Sequence, residues 1–496
     1  MNSYKVILKT TGLFAGLRVL SILVNVVTSK LIATVVGVNG IGLYGLLVNA
    51  LNLLTTVSDF GISKSAVRSI AEADGSNDHQ LIGKSISIIS KLIYYLATIG
   101  AILTIISSYY LSIWTFGNSN YIISFVLLGI AVFFTNVKNG QVSILQGLRK
   151  YRLITFSTIY SSIIAFIFSI PLIYLFKEQG IIYVILLGAI LTFIVTKFYF
   201  NRIDNDYFKN GVKLKFNDSA DLIKLGLSMM LVSFLVTLSG YLIRTYIGKV
   251  GSLGDLGYFQ AGFQIISGYF GIIFTSMSTD YFPRISAIND DNSKLETEVN
   301  QQATITLLLI CPLVALLPIV MPYLISILYS KDFGPTVEYV NIALFGIIFQ
   351  AGSQTMGMIM LAKNDAKVYT YSVLAFQIFF LFLNIVGYKY YGIFGLGVTF
   401  SINMFLHLVG IQILNFYLYK IVFKLDFLKI IIVVLLFALV ANGLRYISSP
   451  YNFILGVVLF FLSLYFSLIK IKALLNIESI TNLLKSRING KSKKDN

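Results

Sequence analysis

Apolar stretches about 20 residues long follow one another along almost the whole chain, and short polar segments carrying most of the Lys, Arg, Asp and Asn separate them. A helix of about 20 apolar residues spans the ~30 Å hydrocarbon core of a bilayer. The pattern predicts fourteen helices, at roughly 12–36, 41–65, 85–110, 121–147, 153–176, 180–203, 220–248, 256–282, 299–329, 337–362, 367–390, 393–420, 427–447 and 452–473. The first stretch, Gly12 to Gly37, is too long for the core of a signal peptide and has no small-residue cleavage site, so it reads as a retained span. The fold class is therefore an all-α polytopic membrane protein. The ninth helix, with Pro312, Pro318 and Pro322, is the span most open to bending.

The spans repeat. Lys30 stands seven residues before Gly37, and Arg244 seven before Gly251; with one inserted residue, Gly42 matches Gly257 and Tyr44 matches Phe259. Val67-Arg68 aligns with Pro283-Arg284, Leu145–Arg152 with Met360–Lys367, and Gly180-Ile-Ile-Tyr with Gly392-Ile-Phe-Gly. The offset stays near 212–216, so each repeat holds six helices, and an even number keeps the two parallel. Two C-terminal helices fall outside the repeat. The expected organisation is a bundle at 1–203, a linker at 204–219, a second bundle at 220–420, two further helices at 421–475 and a basic tail at 476–496.

Composition sharpens this picture. The chain is 57% hydrophobic with 12% charged residues, and its net charge is +17. One set of connections holds nearly all the loop cations, among them Lys64, Arg68, Arg149, Lys150, Arg152, Arg284 and Lys363, together with both tails. The opposite connections hold only Lys177, Lys249, Lys331, Lys389 and Arg445. By the positive-inside rule both termini are cytoplasmic. Attraction to anionic lipid accounts for the charge without a nucleic-acid partner. Cys311 is the lone cysteine and His79 and His407 the only histidines, so neither a disulfide nor a multi-cysteine metal site is expected, nor any cofactor. No polar stretch is long enough for a catalytic domain, which argues against an enzyme. The glycines of Gly37–Gly42 join two spans with no strand before them, so they are not a nucleotide loop.

Four cations within predicted spans are candidates to line a lumen: Arg18, Lys30, Lys138 and Arg244, with Lys91 near an entrance. A charge in lipid costs roughly 2.5–3.5 kcal/mol on insertion scales and generally faces a cavity or a partner. Two of them at matching repeat positions suggest a lumen that holds an anion. Arg grips phosphate oxygens in pairs and Lys acts as a point charge. Arg18 and Lys138 lie toward the cytoplasmic end, Lys30 and Arg244 toward the other, which suggests a graded path for a diphosphate. The plainer role for Arg18 and Lys30 is snorkelling to opposite interfaces. Asn139 and Gln141, beside Lys138, and Gln350 and Gln354 in the repeat-equivalent helix are candidate sugar contacts, or else bond between helices. Asp59 is a candidate for coupling transport to H+ or Na+; its plainer role is a helix-end residue neutralised by Lys64 or Arg68.

The 6+6+2 arrangement, Gly40-Ile-Gly-Leu-Tyr44, Asp59-Phe-Gly-Ile62 and the seventh-helix Tyr241-Leu-Ile-Arg244 resemble the Wzx-type O-antigen and polysaccharide flippases. These belong to the multidrug/oligosaccharidyl-lipid/polysaccharide (MOP) exporter superfamily, with a MATE-like fold. Ser330-Lys-Asp-Phe333 and Met356–Lys363 fit the same family, and the resemblance covers nearly the whole chain. It implies a bacterial inner-membrane flippase for undecaprenyl-pyrophosphate-linked oligosaccharide, working by alternating access among membrane lipids, with a polysaccharide polymerase and a chain-length regulator as partners. The rival readings are a MATE-like multidrug or metabolite exporter, which favours acidic cavity residues, and a flippase for a peptidoglycan lipid precursor. A polytopic glycan polymerase fits less well, since it needs a substantial external loop.

Overall fold

The computed structural model describes residues 24–75, 78–203 and 216–475. The described residues form helices and turns without strands. In chain order they are α1 (Val24–Val35), α2 (Val38–Asp59), α3 (Ile62–Gly75), α4 (His79–Ile106), α5 (Ser108–Phe116), α6 (Ile122–Gly147), α7 (Tyr151–Phe200), α8 (Phe216–Val250) and α9 (Leu253–Phe263). A π-helical turn (Gln264–Tyr269) leads into α10 (Phe270–Ala287), followed by α11 (Asn292–Leu328), a 3-10 turn (Lys331–Phe333), α12 (Gly334–Ala362), α13 (Ala366–Tyr419), α14 (Leu425–Leu444) and α15 (Tyr451–Leu475).

Ten helices among the described residues are long and apolar enough to cross a membrane, against the fourteen expected. The difference lies in how spans join. α7 and α13 run 50 and 54 residues, each bent at one non-helical residue, Lys177 and Gly392, where the hydropathy pattern separates two spans. The expected eighth span is divided among α9, the π-turn and α10, and the first is described only from Val24. The short helices α3 and α5 are additions that the hydropathy pattern merges into loops and neighbours. α11 continues through Pro312, Pro318 and Pro322.

The chain divides into two compact units, Met1–Ala261 with Ser326–Phe333, and Gly262–Ile325 with Gly334–Asn496. In the first, α2 packs against α4, α6 and α8, and the fully buried Ile62, Ile70, Ile86, Ile89 and Leu145 centre its core. In the second, α12 packs on α10, α13 and α14, with Leu344, Ile347, Ile348 and Ala351 wholly buried.

A spacing of 215 residues recurs at four structural landmarks of the repeat. α2 opens at Val38 and α9 at Leu253. Arg149 and Asn364 both take positive φ, 55° and 61°, at the turns into α7 and α13. The breaks at Lys177 and Gly392 have φ of 48° and 57°. Beyond each break a glycine lets the second arm cross the first: a Cβ on Gly180 would meet the Leu172 carbonyl oxygen at 2.4 Å, and one on Gly395 the Gly387 oxygen at 2.0 Å. Gly180 thus corresponds to Gly395, not to Gly392, and the expected alignment slips there by three residues. The first repeat places a lysine where the second needs glycine for its backbone, so matching glycine to glycine misaligned the turn.

Candidate functional site

The first unit contains a close crossing between α2 and α9. A Cβ on Gly42 would lie 2.1 Å from the Leu253 carbonyl oxygen, and one on Gly257 would lie 2.1 Å from that of Val38. Each glycine and each carbonyl exchanges with its partner under the 215-residue spacing, so the crossing is symmetric about a local two-fold relation. Only a residue without a side chain permits backbones this close. The pairing of Gly42 with Gly257 expected from sequence is physical contact as well as equivalence.

Arg244 lies beside this crossing and is 4% exposed. Its Nε donates to Gln260 Oε1 at 2.8 Å, its Nη1 donates to the Gly240 carbonyl at 2.9 Å, and its guanidinium carbon stands 5.5 Å from the Phe259 ring centroid. Gln260 is itself pressed against α2, since a Cβ on Gly45 would meet its Cγ at 2.5 Å. A buried guanidinium is more tolerable where hydrogen bonds such as these two meet its donors and a ring face covers it. Phe259, foreseen only as the repeat partner of Tyr44, thus becomes part of the Arg244 pocket.

Lys30, on α1, uses its ammonium differently. Nζ donates to the carbonyls of Ser326 at 3.0 Å and Tyr329 at 2.5 Å, at the C-terminal end of α11. The last carbonyls of a helix have no partner within it and carry the negative end of its dipole, so a cation there is stabilising. The Tyr329 ring stacks on Phe333, which in turn meets Tyr258 edge-on. Lys30 and Arg244, matched in the sequence repeat, thus hold different partners.

Lys138 has no such arrangement. It is half-buried on α6, and among the described residues its ammonium has no hydrogen-bond or ion-pair partner. On the same helix Asn136 donates to Ser58 Oγ at 2.7 Å, while Asn136 Oδ1 and Gln141 Oε1 are buried without partners among the described residues. Asn139 is half-buried, its carbonyl accepting from Ser143 Oγ. α6 thus carries one cation and two amide oxygens without partners among the described residues along about a turn and a half, with Asn136 turned to a different face from Lys138.

Gln350 and Gln354 belong to the second unit. Gln354 Nε2 donates to Ser278 Oγ at 3.4 Å and lines a cavity of about 10 Å³ with Tyr281, Gln302 and Thr306, room for one water molecule. Gln350 is half-buried one turn earlier, its carbonyl facing Ser353 Oγ at 3.4 Å. Asp59 ends α2 and accepts from the Ser63 hydroxyl at 2.6 Å and the Ser63 backbone N–H, so it caps α3. Lys64 instead donates to Ser233 Oγ and the Met229 carbonyl, and Arg68 pairs with Glu72. Arg18 lies outside the described residues. No group of three or more His, Cys, Asp or Glu that could hold a metal occurs among the described residues.

Sequence reasoning located the cations but not what surrounds them. Gln260 and Ser58 carry no motif, and the carbonyls of Ser326 and Tyr329 are invisible to residue type. The amides of Asn136 and Gln141 were visible as polar letters in an apolar run.

The lipid II flippase MurJ, in an inward closed conformation, superposes with a TM-score of 0.71 at 18% identity, over 94% of this chain and 99% of that one. An inward-facing multidrug resistance MATE family transporter of the MOP superfamily gives 0.64 at 12% identity, over 80% and 93%. A MOP superfamily transporter from Pyrococcus furiosus with a binding pocket of reversed polarity gives 0.58 at 13%, over 82% and 94%. No curated protein sequence matches the chain. The fold is that of the MOP exporters, and the family model described as "Polysaccharide biosynthesis protein" matches residues 31–338. A match over more than half of its length places this multi-pass membrane chain in that polysaccharide biosynthesis family, whose resemblance its sequence already carried.

Proposed function

We propose that the protein is a flippase that carries undecaprenyl-pyrophosphate-linked oligosaccharide across the bacterial inner membrane for O-antigen or another surface polysaccharide. Both termini face the cytoplasm, in keeping with where the basic residues fall. Transport proceeds by alternating access, in line with the inward-facing and outward-facing states of the MATE transporters that share the fold. The observation that carries the anionic substrate is Lys138: an ammonium inside an apolar helix with no partner among the described residues invites a mobile anion. Asn139 and Gln141 stand next to it as sugar contacts. Arg18, Lys30 and Arg244 complete the cationic path, although Lys30 and Arg244 must release the groups they now hold before taking phosphate oxygens. Asp59 remains the candidate coupling carboxylate, and a polysaccharide polymerase and chain-length regulator the expected partners.

A second reading, a flippase for a peptidoglycan lipid precursor, draws on the likeness to MurJ over nearly the full length of both chains. Surface polysaccharide in a strain carrying Lys138→Gln separates the first reading from the second and from a drug exporter, neither of which predicts its loss. The proposal expects export to fall at least about tenfold, because one charge-assisted contact to a phosphate is worth roughly 1.5–3 kcal/mol. Unchanged export with normal membrane insertion would remove Lys138 from the transport path.

A further inference from the structure

α7 folds back at Lys177, and stacked rings hold its two ends together within the first unit. Tyr199, near the end of the second arm, lies 6.4 Å from Phe156 and 6.2 Å from Tyr160 on the first, with interplanar angles of 21° and 11°. This stack carries two guanidinium groups. The guanidinium carbon of Arg152 stands 5.5 Å from the Phe156 centroid, and that of Arg202 stands 5.0 Å from Tyr199 and 4.5 Å from Phe198. Both arginines are exposed, and neither guanidinium has a hydrogen-bond or carboxylate partner among the described residues. Stacking engages the face of a guanidinium and leaves the N–H donors at its edge free.

The charges at the start of α7 have the wrong sign for the helix. Arg149, Lys150 and Arg152 crowd its N-terminal end, where the dipole is already positive, and its first turn holds no acidic residue. An anion bound there relieves that repulsion. Beyond the arginines the surface is apolar and exposed. Tyr160, Ile163 and Ile167 continue the stripe of Arg152 and Phe156 at helical spacing, and Ile194 and Phe198 continue that of Arg202.

We infer that this end of α7 binds an anionic phospholipid, with its phosphodiester oxygens at the donors of Arg152 and Arg202 and its acyl chains along the two apolar stripes. Charge and surface select this occupant together. A soluble anion meets the guanidinium groups but leaves the stripes uncovered, and a zwitterionic head brings a cation of its own beside two others. The site uses none of the cations assigned to the transport path, and it does not depend on the identity of the cargo.

Equilibrium binding of radiolabelled dioleoylphosphatidylglycerol to the purified full-length protein in non-ionic detergent tests this. Dioleoylphosphatidylcholine has the same chains and phosphodiester but no net charge, and should compete at least about fivefold more weakly than unlabelled phosphatidylglycerol. Arg152→Gln and Arg202→Gln should each narrow that gap about two- to fivefold. Lys197→Gln removes an equal charge from the opposite side of the same arm, about 160° around the helix from Tyr199, where the ammonium lies 5.7 Å from the Phe193 ring, and should leave the gap unchanged. Equal competition by the two lipids on the unaltered protein would overturn the proposal, and that comparison requires no variant to fold. Equal narrowing by Lys197→Gln and by Arg152→Gln would also overturn it, as the mark of general surface charge. Displacement by inorganic phosphate or by geranylgeranyl pyrophosphate at lower concentration than by phosphatidylglycerol would assign the site to a free anion or to the transported lipid, and would overturn it as well.

Discussion

Lys30, Arg244 and Lys138 meet the cost of a membrane-embedded charge in three ways, and the differences can be measured. Lys30 closes the open carbonyls of α11, so Lys30→Met should lower the melting temperature of the purified protein, by a loss of about 0.3–1 kcal/mol for a cation at a helix C-terminus. Lys138 closes nothing. Lys138→Met should leave thermal stability unchanged or raise it, while transport falls. An equal loss of stability in the two variants would show that Lys138 has a structural partner. Arg244 should tolerate no substitution easily. Arg244→Ala leaves the half-buried Gln260 without its donor, costing about 1–3 kcal/mol, and Arg244→Lys replaces a planar fork with a single point donor. The charges were legible in the sequence because they break apolar runs. Their partners were not, because Gln260 is sixteen residues away and the Ser326 carbonyl nearly three hundred, brought close only by packing.

Helices and their joints carry the repeat more faithfully than residue types do. Lys177 and Gly392 occupy the same break, and positive φ there costs a lysine roughly 1–3 kcal/mol that glycine avoids. Chemical denaturation should therefore find Lys177→Gly neutral or stabilising and Gly392→Ala destabilising by about 1 kcal/mol or more. The reciprocal crossing predicts matched losses for Gly42→Ala and Gly257→Ala, each about 1–3 kcal/mol as α2 and α9 are forced apart. A large effect at one and none at the other would contradict the symmetry. Asp291, at the start of α11, gives a pH signature. The Lys294 backbone N–H, then the Lys294 ammonium, hold its carboxyl below the usual range. A depressed folded value means that the stabilisation is present above the ordinary carboxylate range and is lost as pH falls through the folded value. Asp291→Ala should thus lower the melting temperature at neutral pH and match the parent protein in strong acid. Hydropathy anticipated most span limits to within a few residues, since burial in lipid demands long apolar runs. It missed α3 and α5, which are too short and mixed to stand out, and it saw two spans where α7 and α13 turn on a single residue.

At the scale of the whole molecule, an all-helical membrane fold of the MOP type and membership of a polysaccharide biosynthesis family agree with what the repeat and the charge distribution imply. Fold and family were legible because parallel repeats and basic connections survive as patterns even where individual residues have diverged. The identity of the cargo was not, because the proposed contacts, an ammonium and a few amides, suit any anion with hydroxyls and choose none among them. The most direct test is flipping in proteoliposomes, with undecaprenyl-pyrophosphate-linked oligosaccharide placed in one leaflet and its arrival in the other read by an impermeant sugar-modifying reagent. The account predicts flipping well above protein-free vesicles, slowed at least about tenfold by Lys138→Gln. Flipping no faster than in protein-free vesicles, or flipping that Lys138→Gln leaves untouched, would contradict it.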